Sequence, residues 1–229
     1  MHESDSFINE VSEEVRRDRL FGFLRRWGWL IGAAILVIVG GAAANEWRKA
    51  RANAAAAAAG DALRAAYLEP DPALRAERMA AVATEAPAAA ALARLAAAGS
   101  LHEAGDDAGA AATLGNVAAD AAVPQIYRDL AALQRVMLLG SGMEFSERLA
   151  TLETLVAPGA PFRPLALEQR ALAHLDAGNT DRARADIIAV LTDPTAPEGA
   201  QARAQQLLAA VGGDLTLPTD ADPAVPADG

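Results

Sequence analysis

The feature that most limits what this chain can fold into is a run of 19 residues without a charge, Trp27 to Asn45, held between Arg26 and Glu46. As a helix it would extend roughly 28 Å, close to the hydrocarbon thickness of a bilayer. Its strong aliphatics, Leu30, Ile31, Ile35, Leu36, Val37, Ile38 and Val39, favour insertion by roughly 2 to 4 kcal/mol in total, partly offset by the glycines. Trp27 and Trp29 stand at one end with Arg25 and Arg26, and Trp47 stands at the other, where interfacial aromatics belong. That flanking pattern sets the stretch apart from the buried core helix of a soluble protein. A cleaved secretory signal is the rival reading: Leu30 to Val39 has the character of an h-region, Arg25 and Arg26 of an n-region, and Ala42-Ala43-Ala44 meets the small-x-small rule. Against cleavage stands the long segment ahead of it.

The flanks also orient a retained anchor. Arg16, Arg17, Arg19, Arg25 and Arg26 precede it, whereas Arg48, Lys49 and Arg51 follow, so the positive-inside rule leaves residues 1–26 in the cytoplasm and translocates the rest. In that tail Phe7, Ile8, Val11 and Val15 recur at helical spacing beneath Glu10, Glu13, Glu14 and the arginines. This is the pattern of an interfacial amphipathic helix, and a disordered, charge-mixed leader is the alternative. Gly28, Gly32, Gly40 and Ala44 share one face of the membrane segment, which would let another transmembrane helix approach closely.

Beyond the membrane segment, which is taken as residues 27–45, lies a body of residues 46–212 dominated by Ala and Leu. With aromatics only 4% of the chain and β-branched runs nearly confined to the anchor, helix propensity is high and an all-α fold is expected. The absence of Cys rules out thiol nucleophiles, disulfides and thiolate metal sites. From Ala52 onward 12 Arg stand against 23 Asp plus Glu, a net charge of −11, which repels nucleic acid and anionic headgroups.

Gly105, Gly140 and Gly178 each fall near the end of a Leu/Ala-rich stretch, spaced by 35 and 38 residues, close to the 34-residue period of tetratricopeptide repeats (TPR). Five residues after them come Ala110, Phe145 and Ala183; nine after, Leu114, Leu149 and Ile187; twelve after, Val117, Leu152 and Val190. Each second helix is thus expected to bury the same stripe. The first helices are expected to do so with Leu92 and Leu95; with Ile126, Leu130, Leu133 and Met137; and with Leu165, Leu172 and Leu175. Pro87, Pro124, Pro161 and Pro164 sit near their starts, where a missing N–H costs least. A last helix over about 196–211, carrying Ala204, Leu207, Leu208 and Val211 on one face, caps the array. Residues 48–67 and a short helix around 74–83 form a degenerate first hairpin, and the Pro/Asp-rich residues 213–229 are expected to be disordered. The alanine suits close helix packing, but genomic GC bias would produce it too, and it carries no functional weight.

This layout resembles the family of inner-membrane-anchored proteins with a TPR-like periplasmic domain typified by YfgM, the ancillary subunit of the SecYEG translocon. The resemblance is carried by the tail Ser6-Phe7-Ile8-Asn9-Glu10-Val11 through Arg16-Arg17-Asp18-Arg19-Leu20, the Trp-flanked anchor, and the turns Ala104-Gly105-Asp106 and Ala177-Gly178-Asn179. It implies a single-pass bacterial inner-membrane protein whose periplasmic domain binds proteins: translocon subunits, a periplasmic chaperone or emerging secreted chains.

Nothing in the sequence points to catalysis or a cofactor. His102 and His174 precede the repeat turns, where they read as ordinary helix C-terminal residues, and neither belongs to a His-x-x-x-His or Glu-x-x-His arrangement. Asp106 with Asp107, and Asp181 with Asp186, read as caps at helix starts. Three functions stay open: a non-enzymatic scaffold tied to secretion, an organiser of the cell envelope or division, and a soluble periplasmic TPR protein left by signal cleavage. No nucleic-acid or small-molecule partner is expected, and groove-lining residues cannot be read from the pattern, because a one-residue slip moves every inward side chain.

Overall fold

The computed structural model describes residues 3–212; for residues 3–24 and for Ile31 only the backbone is described. The expected disordered tail, 213–229, lies outside the described residues. Every regular element among them is helical, and the chain divides into two compact units, Met1–Ala58 and Ala59–Gly229. Helix α1 runs Glu3–Tyr67, so it makes up the first unit, and its last turns, from Ala59, begin the second.

In the second unit α2 (Pro72–Glu85), α3 (Ala90–Glu103), α4 (Asp107–Ala119), α5 (Gln125–Leu139), α6 (Phe145–Leu155), α7 (Arg163–Asp176), α8 (Thr180–Leu191) and α9 (Glu198–Ala210) pack in chain order, each against the next. Further contacts join α3 to α5, α5 to α7 and α7 to α9, so the first helices of successive hairpins touch one another as in a repeat array. The end of α1 does not form a separate hairpin with α2. Ala66, Met79, Val82, Ala83, Ala93 and Ala97 make one cluster, flanked by Ala62 and Leu63, so α1, α2 and α3 close as a trio.

Two of the three repeat turns are alike. After α3, Gly105 has φ 83°, its N–H donates to the His102 carbonyl (2.9 Å), and the Asp106 N–H donates to the Leu101 carbonyl (2.8 Å). After α7, Gly178 has φ 73°, with the matching bonds from Gly178 to Leu175 (2.9 Å) and from Asn179 to His174 (2.7 Å). Both satisfy orphan carbonyls in the Schellman manner, which needs a left-handed residue after the cap. The middle turn differs. Gly140 has φ 51° and ψ −126°, a short 3-10 turn spans Gly140–Gly142, and α6 starts only at Phe145, capped by the Glu144 carboxylate on the Glu147 N–H (3.0 Å).

That longer turn corrects the expected register. α4 and α8 begin two residues after their glycines and bury Ala110, Leu114 and Val117, and Ala183, Ile187 and Val190. α6 begins three residues later in register, so its core positions are Arg148, Leu152 and Leu155. Phe145 is exposed and Leu149 half-buried. A shift of three residues turns a helix face by nearly a full turn less 60°, enough to move both out of the core while Leu152 stays in it.

A second correction concerns the first helices. Leu133 is buried, but Leu92, Ile126 and Met137 are 47, 46 and 53% exposed, and Leu95, Leu130, Leu165, Leu172 and Leu175 are half-buried. Of these, Leu95, Leu165 and Leu175 still pack against the buried clusters, and small residues share the inner face with Leu133, Val136 and Leu167: Ala93, Ala97 and Ala98 in α3, Ala131 in α5, Ala166, Ala171 and Ala173 in α7. Among the described residues, 18 of the 32 buried apolar side chains are alanine, so the alanine is structural. In α9, Ala204 and Leu208 are buried, while Leu207 and Val211 pack at the edge of the same cluster.

Replacing Gly178 by Ala should lower the stability of the body by about 1 to 2 kcal/mol, the cost of a left-handed alanine. Gly60→Ala, within α1 where an added methyl meets nothing, should raise it by up to about 1 kcal/mol through helix propensity. Urea unfolding midpoints of the two variants measure both.

Candidate membrane anchor and interaction groove

In the first unit, the residues singled out for the membrane interface sit on one helix. Arg25 and Arg26 are exposed, as are Trp27, Trp29 and Trp47, and the Arg51 guanidinium lies 4.3 Å from the Trp47 ring centroid. Between them Leu30, Ile35, Leu36, Val37, Ile38 and Val39 all point outward. Over Arg25–Tyr67 the chain offers one helix long and apolar enough to cross a membrane, with none of its most apolar window buried. A helix apolar on all sides needs an apolar surrounding on all sides.

In the second unit, the last turns of α3 and α5 converge on a pocket of about 270 Å³ lined by Ala98, Gly99, His102, Leu114, Gln134, Met137 and Leu138. Leu114 of α4 forms its floor, and its lining is almost wholly apolar. Toward the other end of the same two helices lie exposed Leu92 and Ile126. On α5 the residues Ile126, Leu130, Gln134 and Met137 follow a helical face, and on α3 so do Leu92, Leu95, Gly99 and His102. The pocket between the last turns of the two helices, with Met137 exposed beside it, is the groove considered for binding. The signal in the sequence is a helix with two apolar faces, one of alanine and one of leucine, isoleucine and methionine, of which the large-residue face has the ordinary look of core.

A family model described as a tetratricopeptide repeat-like domain matches residues 22–210, taking in the apolar helix as well as the hairpins. The chain belongs to this TPR-like family. No curated protein and no solved structure matches it at a significant level.

The charged groups of the TPR-like body are largely spent in tying helices together. Arg170 of α7 donates from Nε and Nη2 to both oxygens of Asp186 in α8 (2.9 and 2.6 Å) and from Nη1 to Glu153 of α6 (2.6 Å). Those hydrogen bonds, Asp186's first, raise the Arg170 pKa. Asp186 is therefore a buried ion-pair partner in mid-helix and no cap, whereas Asp106 does cap α4, accepting from the Gly109 N–H at 2.8 Å. Arg203 of α9 grips Glu168 of α7 with both a 2.6 and a 2.8 Å bond. Arg94 of α3 reaches Asp120 beyond α4 at 3.0 Å.

The two histidines differ. His102 is exposed at the mouth of the groove, its Nδ1 2.5 Å from Asp107 Oδ1. His174 is buried, its ring edge-on to Phe145 with centroids 6.1 Å apart. Burial holds its pKa below the ordinary value, against the attraction of Asp186 and with the help of Arg182 and Arg170. Nearby Arg148, at the position where the outer repeats carry Ala110 and Ala183, is buried and bonded through Nη1 to Asp176 at 2.7 Å. Among the described residues no three His, Asp or Glu side chains gather to hold a metal ion, and neither histidine meets a nucleophile.

Asp186→Ala should destabilise the body by about 1 to 3 kcal/mol, because it leaves the Arg170 guanidinium, in a largely covered site, with Glu153 as its one remaining partner. In chemical denaturation the loss should far exceed that of Asp181→Ala, whose carboxylate is almost fully exposed. His174 contributes a pH dependence. Its folded pKa is depressed, so the unfolded chain binds the proton more readily; its stability is present above about pH 6.5 and is lost as pH falls through the folded value. Between pH 7 and 5.5 the midpoint should drop for the native chain and drop less for His174→Leu.

Proposed function

We propose that this chain is a non-enzymatic, single-pass inner-membrane scaffold, with residues 1–26 in the cytoplasm and the TPR-like body in the periplasm, that holds protein partners of the Sec translocon. The observation that carries the reading is the open apolar groove of α3 and α5 on a body whose family match also takes in the membrane-length helix. TPR-like domains act as platforms for other proteins, and large apolar side chains left outside a core are the usual mark of such a surface.

The orientation rests on five basic residues ahead of the apolar segment against three after it. Retention of the anchor is supported by the tryptophans at both its ends and by the family match, which takes in the apolar helix together with the hairpins. The link to secretion rests on the likeness of tail, anchor and turns to the YfgM type. The candidate partners are translocon subunits, a membrane-anchored periplasmic chaperone and secreted chains in transit.

A photo-crosslinking amino acid at Met137, in the full chain in its native membranes, tests the reading. It should capture translocon subunits or secretory chains. Recovery of wall-synthesis or division proteins with no translocon subunit would overturn the secretory role, and a body cleaved by protease added to inside-out membrane vesicles but protected in spheroplasts would overturn the orientation. An intact mass beginning near Asn45 would show that the anchor is removed.

A further inference from the structure

Resting on the reading of the apolar helix as a retained anchor, we propose that Arg48 and Arg51, with Trp47, form a headgroup site at the C-terminal end of that anchor and take the phosphate of an anionic phospholipid. The site lies wholly in the first unit, on the stretch of α1 that follows the uncharged run. Trp47, Arg51 and Arg48 fall within about 100° of one another around the helix, whereas Lys49 stands on the other side beside Glu46. All five side chains are exposed. Ala44, Ala52 and Ala55 share the face of the two arginines and are too small to cover it.

Depth follows from the helix. With the uncharged run ending at Asn45, the Arg48 backbone stands about 4.5 Å beyond it and the Arg51 backbone about 9 Å, against a headgroup layer of about 5 to 8 Å on each side of the hydrocarbon. The Arg51 side chain makes up its extra distance, because helical side chains lean toward the N-terminus. Its guanidinium carbon lies 4.3 Å from the centroid of the Trp47 ring, a full turn back toward the bilayer. Stacking occupies the flat face of the guanidinium and leaves its N–H donors open at the edge.

Those donors meet no carboxylate. The ion pairs among the described residues all lie at Glu69 or beyond. No acidic residue stands between Glu46 and Asp61, and Glu46 is across the helix from both arginines. Two open guanidiniums one turn apart suit a phosphodiester, whose two non-ester oxygens accept charge-assisted hydrogen bonds. A zwitterionic headgroup brings its own ammonium, which neutralises the phosphate and is repelled by the arginines. An anionic headgroup has no such compensation, so the pair selects it.

The test uses the full chain with Trp27→Phe and Trp29→Phe, which leaves Trp47 as its one tryptophan, reconstituted in phosphatidylcholine vesicles. Phosphatidylglycerol and phosphatidylcholine brominated near the top of the acyl chain, added in turn at equal mole fraction, quench a tryptophan only at close contact, so their ratio reports which lipid Trp47 selects. Phosphatidylglycerol should be preferred about three- to tenfold. Arg48→Gln with Arg51→Gln should bring the two lipids to within about twofold of each other. Lys49→Gln removes a charge at the same depth on the other side of the helix and should leave most of the preference. Inorganic phosphate at constant ionic strength should leave the ratio unchanged; collapse of the preference would assign the pair to free phosphate and overturn the lipid. Equal quenching by the two lipids, or an equal loss with Lys49→Gln, would overturn the proposal and leave the anchor standing. Absence of quenching by either lipid would put Trp47 outside the bilayer and overturn the anchor together with the site.

Discussion

Ala93 of α3, Ala131 of α5 and Ala171 of α7 are wholly removed from solvent and pack against larger side chains of neighbouring helices, Met79 and Val82, Leu114 and Val117, and Ile187 and Val190. That small inner face sets the rest of the body. Helices packed on alanine gain less from apolar burial than helices packed on leucine, at about 25 cal/mol per Å² buried, but they lose almost no side-chain entropy and carry the best helix propensity. The larger residues of the first helices are then free to face outward, and the groove is the result.

Thin apolar interfaces leave work for the charges. Arginine–carboxylate pairs join α2 to α3 (Arg75 with Glu103), α5 to α6 (Arg135 with Glu147), α6 to α7 (Arg148 with Asp176, Arg170 with Glu153), α7 to α8 (Arg170 with Asp186) and α7 to α9 (Arg203 with Glu168). The exposed ones contribute at most about 1 kcal/mol each. The bidentate pairs fix which helix faces which, because a planar guanidinium fits a carboxylate in few orientations. The middle repeat departs from its neighbours on both counts, with a longer turn after Gly140 and with Arg148 in the place of alanine.

Much of the fold could be read from the sequence because glycine after a helix and an aspartate or asparagine before the next are local signals. Gly105 and Gly178 needed nothing but their own turns to be recognised. The register of α6 was hidden because the three extra residues after Gly140 look like turn in either reading, and only packing tells whether Phe145 or Arg148 points inward. The groove was hidden for a related reason. A stripe of leucines at helical spacing ordinarily marks the core, and here alanine on the opposite face had already taken that place. Asp186 looked like a cap beside Asp181, yet its partner Arg170 lies 16 positions earlier, a pairing that no local pattern carries.

The membrane-length helix and the TPR-like body together fit a protein-binding scaffold. If the open face of α3 and α5 exists for binding, its large side chains are dispensable to the fold while its small buried ones are not. Comparing the unfolding free energies of Met137→Ala and Ala131→Leu tests this most directly. Met137→Ala should change stability by less than about 0.5 kcal/mol, whereas Ala131→Leu should cost about 1 to 3 kcal/mol by overpacking. A loss of more than about 2 kcal/mol on truncating Met137, with Ala131→Leu tolerated, would mean that the leucine-rich face is core and that the groove has been assigned to the wrong side of the helices.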